Sequence, residues 1–243
     1  MNQEILCLGS KMLYGVCNTK INDYPYPHFS VESIFTEEYY TLLEESWPLH
    51  DEMKSMADSV WTPNSYRERM YFDVLDERMM TQLGEKKRLV WQTFADMICS
   101  EYVLNGLAWI CHPYRHLHPL LENGDNFDLK PYVILNTDHN DYHIAPHTQA
   151  PEEILVLLIY FSKKENTEGA GTSIYIPNNP KYECDGYVHR DSFDDFHELL
   201  TVPYRRNSLF GFVKTRNSFH GVDRIDQPIT RNSIYIGLGL ERS

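Results

Sequence analysis

No stretch of this chain approaches the ~18 consecutive apolar residues needed to cross a bilayer. The longest apolar run, Ile154 to Phe161, has eight. The opening residues, MNQEILCLGSK, show no basic segment followed by an apolar one, so no signal peptide is expected. Base is scarce relative to acid: 22 Lys and Arg stand against 35 Asp and Glu, a formal charge of −13. No lysine or arginine stripe is present to neutralise a row of phosphates, so nucleic acid is not an expected partner, nor is a membrane. The five cysteines (Cys7, Cys17, Cys99, Cys111, Cys184) are odd in number and have no CxxC spacing. That excludes a disulfide framework or cysteine-based zinc site and fits reduced thiols in a cytoplasmic, soluble protein. Internal repeats, low-complexity tracts and linkers are also missing, so residues 1–243 read as a single domain.

What is present is a globular composition, 42% hydrophobic and 13% aromatic. Residues 1–35 read as a strand or two plus loop. Thr36, followed by Glu37 and Glu38, reads as the start of a helix reaching about Trp47, where Pro48 stops it. Met53 to Asp76, with Trp61, Pro63 and the Arg67/Arg69 pair, has no regular period. A longer helix is predicted over 81–104, with Val90, Phe94, Met97 and Ile98 facing inward and Asn105-Gly106 closing it. From Pro131 the helical period disappears. Short strands separated by turn signals follow at 131–136, 142–149, 154–161, 172–177, 208–214, 218–222 and 231–240, while 191–200 suits a short helix or an ordered connection. The pattern predicts a mainly β protein, a sandwich or double-sheet jelly roll over 131–240, supported by a helical and irregular segment over 1–130. The run ILVLLIYF (154–161) reads as a strand buried on both faces.

Chemistry concentrates in three places. His147-Thr148-Gln149 precedes the apolar run, and residues i and i+2 of a strand face one side, so His147 and Gln149 are expected to share a space. His220 lies in NSFHGV, more than seventy residues later, and Arg231-Asn232-Ser233 opens the last strand. A jelly roll brings early and late strands together. Two converging imidazoles suit a borderline transition metal, and an arginine fork with a serine two residues on suits a carboxylate.

The texts YHIAPHTQAPEEILVLLIYF, GTSIYIP and NSLFGFVKTRNSFHGV resemble a bacterial and phage branch of the iron(II)- and 2-oxoglutarate-dependent oxygenases. The hallmark of that superfamily is His-x-Asp/Glu, a distal His and an Arg about ten residues later. The resemblance covers roughly residues 130–240. It implies a double-stranded β-helix (jelly roll, cupin-like), with His147 and His220 binding non-haem iron(II). Arg231 would hold the distal carboxylate of 2-oxoglutarate, assisted by Ser233. The implied activity is oxygenation, a hydroxylation or related oxidation, of a small-molecule or sugar-like substrate.

Gln149 departs from the pattern, standing where the family has an acidic ligand. An amide oxygen can ligate a metal but brings no negative charge. Three readings stay open: an active enzyme with a His-Gln-His set, a variant of an ordinary site, or a non-catalytic jelly roll binding a small acid or sugar. Glu152, Glu153, Asp138 and Asp141 are alternative carboxylates without the motif's spacing. His143 shares the strand parity of His147 and reads equally as a cavity residue or a hydrogen-bonded strand histidine. His112 to His118 reads as a polar loop, Gly169-Ala170-Gly171-Thr172 as a hairpin turn, and Thr215 to Asn217 as lining of the cavity mouth. Tyr132, Ile134 and Asn136 share one strand face, from which Tyr132 and Asn136 point toward the cosubstrate. The sequence does not disclose the substrate or the oligomeric state.

Overall fold

The computed structural model describes residues 3–59, 66–121, 127–163, 166–186, 193–226 and 228–242; Trp61 and Pro63 lie outside them. Helix α1 (Gln3–Cys17) precedes strand β1 (His28–Glu32), helix α2 (Glu37–Glu45), and strands β2 (Lys54–Ser55) and β3 (Arg69–Asp73). Helices α3 (Glu77–Met80), α4 (Glu85–Ile98) and α5 (Glu101–Cys111) follow. The rest is β: β4 (Phe127–Asp138), β5 (Ile144–His147), β6 (Glu153–Phe161), β7 (Asn166–Pro177), β8 (Phe196–Arg205), β9 (Ser208–Val213), β10 (His220–Val222) and β11 (Arg231–Arg242).

Two antiparallel sheets result. The larger runs β1-β9-β6-β11-β4-β3-β2 and the smaller runs β5-β10-β7-β8. They form a mainly β jelly roll with a few helices, as the strand spacing predicted. Three of the seven strands in the larger sheet come from the first 130 residues, so that segment contributes structure to the sheet as well as helices over its outer face. β6, the apolar run, sits third in the sheet and is buried on both faces by period-two alternation. Leu155, Leu157, Ile159 and Phe161 join the helix-side core, while Val156 and Tyr160 join the cluster between the sheets with Ile174, Val202, Tyr204, Phe210 and Phe212. Tyr40 of α2 stacks on Phe161 with ring centroids 4.6 Å apart. The Trp91 indole donates to the Ser46 carbonyl at 2.7 Å, tying α4 to the end of α2.

Residues 1–35 depart from expectation. Ile5, Leu8, Met12, Leu13 and Val16 recur at helical spacing and form the buried stripe of α1, and only β1 is a strand. The single helix predicted over 81–104 is two. Ser100 breaks it, accepting the Val103 N–H on its hydroxyl at 3.3 Å as the N-cap of α5. Gly106 therefore sits inside α5 rather than ending a helix. It is needed where α1 crosses, because a Cβ there would lie 2.7 Å from Leu13 Cδ1. Residues 196–205 form β8 rather than a helix, with Phe193–Asp195 only a single 3₁₀ turn before it. The Gly169–Thr172 segment is a bulge inside β7, not a hairpin turn. Gly169 has φ 73°, and the register against β8 shifts between Thr167 and Thr172. None of the five cysteines is in a disulfide. No described helix is long and apolar enough to cross a membrane.

Replacing the α5 cap should separate helix entry from core packing. Ser100→Ala is expected to lower stability by ~1 kcal/mol and Ser100→Gly by only a few tenths, measured by urea unfolding.

Candidate functional site

A cavity of about 490 Å³ opens between the sheets. His147 and His220 enter it from the smaller sheet as direct cross-strand partners of β5 and β10, their ring centroids 4.4 Å apart. Each ring is oriented by the backbone two residues before it. His147 Nδ1 lies 2.9 Å from the Ala145 carbonyl, and His220 Nδ1 lies 2.9 Å from that of Ser218. A carbonyl can only accept, so both Nδ1 atoms carry the proton and both Nε2 atoms carry a lone pair. That is the tautomer a metal ligand needs.

β5 ends at His147, so alternation along a strand does not place Gln149. Its side chain nonetheless reaches the pair, Nε2 lying 3.1 Å from His220 Nε2. The amide N–H donates to that lone pair, and a half-turn of the amide would present its oxygen to the same space. The intervening Thr148 is pinned from behind. Its hydroxyl donates to the Cys184 carbonyl at 3.2 Å and accepts from the Lys214 ammonium at 3.3 Å. Burial pushes Lys214 down to about 8. Among the described residues no three His, Cys, Asp or Glu side chains form a metal-binding group. Asp138, Asp141, Glu152 and Glu153 thus leave the histidine pair without a carboxylate, and the donor set is two imidazoles and an amide.

Arg231 and Ser233 lie in the opposite wall, on β11. Strand register places Asp138 of β4 directly between Arg231 of β11 and Arg69 of β3. Arg69 grips the buried Asp138 carboxylate bidentately, at 2.6 Å and 2.9 Å, and Arg231 Nη1 donates to it at 2.8 Å. Arg231 also donates from Nε to the Ala170 carbonyl at 2.8 Å and from Nη2 to the Thr172 hydroxyl at 3.2 Å. The β7 bulge thus brings the Ala170 carbonyl to this guanidinium. Two guanidiniums share one carboxylate, which leaves one positive charge beside the cavity for a ligand to balance. Two cavity-lining polar atoms here are buried without hydrogen-bond partners, Asn136 Oδ1 and the Tyr142 hydroxyl. The Arg69 guanidinium lies over the Tyr142 ring at 4.3 Å. Excess positive charge and an unpartnered hydroxyl suit a bound carboxylate, and the two imidazole lone pairs suit a metal ion.

Other sequence candidates fall on either side of the cavity wall. Tyr132, Ile134 and Asn136 line it together, as their shared face predicted. His143 is exposed, with Nδ1 at 3.1 Å from the Asp141 carbonyl, because β5 begins only at Ile144. Thr215, Arg216 and Asn217 form a turn that does not line the cavity, and Arg216 pairs with Asp185 at 2.8 Å. His112–Leu117 is a 3₁₀ helix, and the buried His118 after it holds the Glu153 carbonyl at 2.9 Å. The sequence reading missed Arg69 and Tyr142. The only available signal was an arginine inside a stretch without period.

No family model and no curated protein matches this chain. Solved structures that resemble it include prolyl hydroxylases and a non-heme alpha ketoglutarate dependent epimerase, and it shares their fold. A prolyl hydroxylase from Trichoplax adhaerens, solved with a peptide fragment of hypoxia inducible factor, superposes with TM-score 0.54 at 12% identity, covering 98% of this chain and 91% of that one. The epimerase SnoN, in complex with Fe3+, alpha ketoglutarate and nogalamycin RO, gives 0.52 at 12% identity, over 96% and 84% of the two chains. HygX from Streptomyces hygroscopicus, with nickel and 2-oxoglutarate bound, gives 0.50 at 12%, over 98% and 87%. Likeness at this identity establishes the fold.

Two measurements test the electrostatics. Asp138→Asn leaves two guanidiniums buried without their carboxylate and is expected to cost about 3–5 kcal/mol in urea unfolding. Glu153, also on the cavity wall, has its carboxyl pushed by burial from an ordinary 4.5 up to about 7. The folded state therefore holds its proton more tightly than the unfolded chain does. The resulting stability is complete below pH 4.5 and is lost as pH rises through about 7. Wild type should lose on the order of 3 kcal/mol across that window relative to Glu153→Gln, compared by unfolding at a series of pH values.

Proposed function

We propose that this protein is a non-haem iron(II)- and 2-oxoglutarate-dependent oxygenase acting on a small-molecule or sugar-like substrate. The observation that carries the reading is the His147/His220 register pair, each ring held by the backbone carbonyl two residues before it with Nε2 as acceptor, facing a wall with uncompensated positive charge. In this reading His147, His220 and the amide oxygen of Gln149 hold iron. When bound, iron and the reductant 2-oxoglutarate would activate O2, the oxidant for attack on an unactivated C–H bond.

The remaining work falls to the chain. Arg231, with Ser233 beside it on β11, receives the distal carboxylate of 2-oxoglutarate. Its Nε and both terminal nitrogens already hold Asp138, Ala170 and Thr172, so Arg231 is fixed in orientation and Arg69 shares the charge. Tyr142 offers its unpartnered hydroxyl to the same ligand. The apolar wall of Ile134, Ile144, Leu158 and Val222 excludes water from the reacting centre.

A second reading, a non-catalytic jelly roll that binds a small acid or sugar, is favoured by Gln149, which puts a neutral amide where the resemblance calls for a charged ligand. Iron affinity and succinate production separate the two. In the oxygenase reading, iron(II) binds weakly alone and more tightly with 2-oxoglutarate, whose negative charge replaces the one Gln149 lacks. Gln149→Asp, measured in anaerobically loaded protein, is expected to raise iron affinity by ~10–100-fold. If neither form binds iron, the binding-protein reading survives.

A further inference from the structure

The cavity has a second polar region, unlike the first. Glu153, the first residue of β6, lines it with Glu152, Tyr132 and Tyr235. Glu153 Oε2 is buried and has no hydrogen-bond partner. The backbone at this position is held on both sides. The Glu153 N–H donates to the Ala150 carbonyl at 3.1 Å, and its own carbonyl receives His118 Nε2 at 2.9 Å. Leu120 N–H donates to His118 Nδ1 at 3.2 Å, which leaves Nε2 as the protonated nitrogen of that ring. Space for the carboxyl comes from Gly237, where a Cβ would lie 3.3 Å from Glu153 Oε1.

Among the described residues no cation is paired with this carboxyl. Lys214 is close enough to act on it electrostatically, but its ammonium is hydrogen-bonded to Thr148, the Cys184 carbonyl and the Thr215 carbonyl. The arginines stand at the other end of β11. Glu153 pairs in register with Gly239 of β11, eight residues beyond Arg231, which separates the two backbones by ~26 Å at ~3.3 Å per residue. A buried carboxyl oxygen with no donor is unfavourable until something donates to it. The cavity thus has a cationic end and an acidic end, with His147 and His220 on the facing sheet and Gln149 just beyond β5.

We propose that Glu153 receives the amino group of the primary substrate, so that this substrate is a small polar molecule carrying an ammonium, such as an amino sugar. The assignment rests on the oxygenase reading for the word substrate, and on the orphaned carboxyl oxygen for the chemistry. Arg69 and Arg231 take the anionic ligand, and Glu153 selects a cationic one, so the two ligands do not compete for one end. Burial also raises the Glu153 pKa, and a bound ammonium would draw the group back to its ionised form.

The test compares amines with hydroxyl counterparts on the full chain by calorimetry. Glucosamine is set against glucose, and hexylamine against hexanol. Wild type is expected to prefer each amine by roughly tenfold, as one charge-assisted hydrogen bond gives. In Glu153→Gln, which keeps the shape and removes the charge, the preference should disappear. Equal affinity for amine and alcohol in wild type, or no saturable binding of either amine, overturns the proposal without reference to any variant. A preference that survives in Glu153→Gln overturns it too. Titration of wild type with iron(II) and 2-oxoglutarate is read separately. Failure there removes the oxygenase reading and leaves amine selectivity to stand or fall on its own measurement.

Discussion

Three charges buried side by side set the terms for the larger sheet. Asp138 lies between Arg69 and Arg231 because β3, β4 and β11 pair in one register, and each arginine faces the same aspartate across its own strand boundary. A slip of one residue on any of these strands would turn one member to the opposite face and leave a charge desolvated without its partner. Apolar neighbours alone would tolerate such slips better, since ILVLLIYF offers similar side chains at successive positions. The ion row therefore supplies specificity of pairing where the hydrophobic pattern leaves latitude. It also places positive charge on the cavity wall.

The opposite sheet meets a different constraint. β5 and β10 are only four and three residues long, yet they carry the two imidazoles. Their short ladder is reinforced by ring-to-backbone hydrogen bonds, to Ala145 within β5 and to Ser218 just before β10, and by the Lys214–Thr148–Cys184 contacts behind them. Burying a lysine to hold a threonine hydroxyl is unfavourable by desolvation. Its position directly behind the residue joining His147 to Gln149 ties that expenditure to the geometry of the pair.

Much of this was legible in the chain. Strand spacing beyond residue 131 marked β4 to β7 and β9 to β11, though not β2, β3 or β8, and the double burial of β6 followed from an apolar run too short for a buried helix. His147 and His220 could be singled out because each sits in a distinctive local text. What stayed hidden depends on contacts distant in sequence. Arg69 acquires meaning only through the register of β3 against β4, and β3 lies in a stretch with no period of its own. The Glu153 carboxyl read as one of four alternative carboxylates without the motif's spacing, and its isolation appears only once Gly237 lies against it. Gly106 misled because Asn-Gly signals a stop, whereas the approach of Leu13 from α1 gives the glycine another reason to be there. Helix α1 was overlooked although its stripe at 5, 8, 12, 13 and 16 was available.

The direct facing of His147 and His220 across β5 and β10 limits how this chain can change in length. An insertion within either strand would rotate one imidazole away from the other, since side chains alternate faces with every residue. The residues that follow His147 are no freer, because Thr148 is anchored from two directions. The approach to His220 is fixed by the turn in which the Ser218 hydroxyl accepts from the Thr215 N–H at 3.1 Å. Growth or shrinkage of the chain during divergence is thereby directed away from the smaller sheet, toward surface connections whose ends bear no ligand. The site behaves as a fixed frame, and novelty in what it binds has to arise by exchanging side chains on the cavity wall.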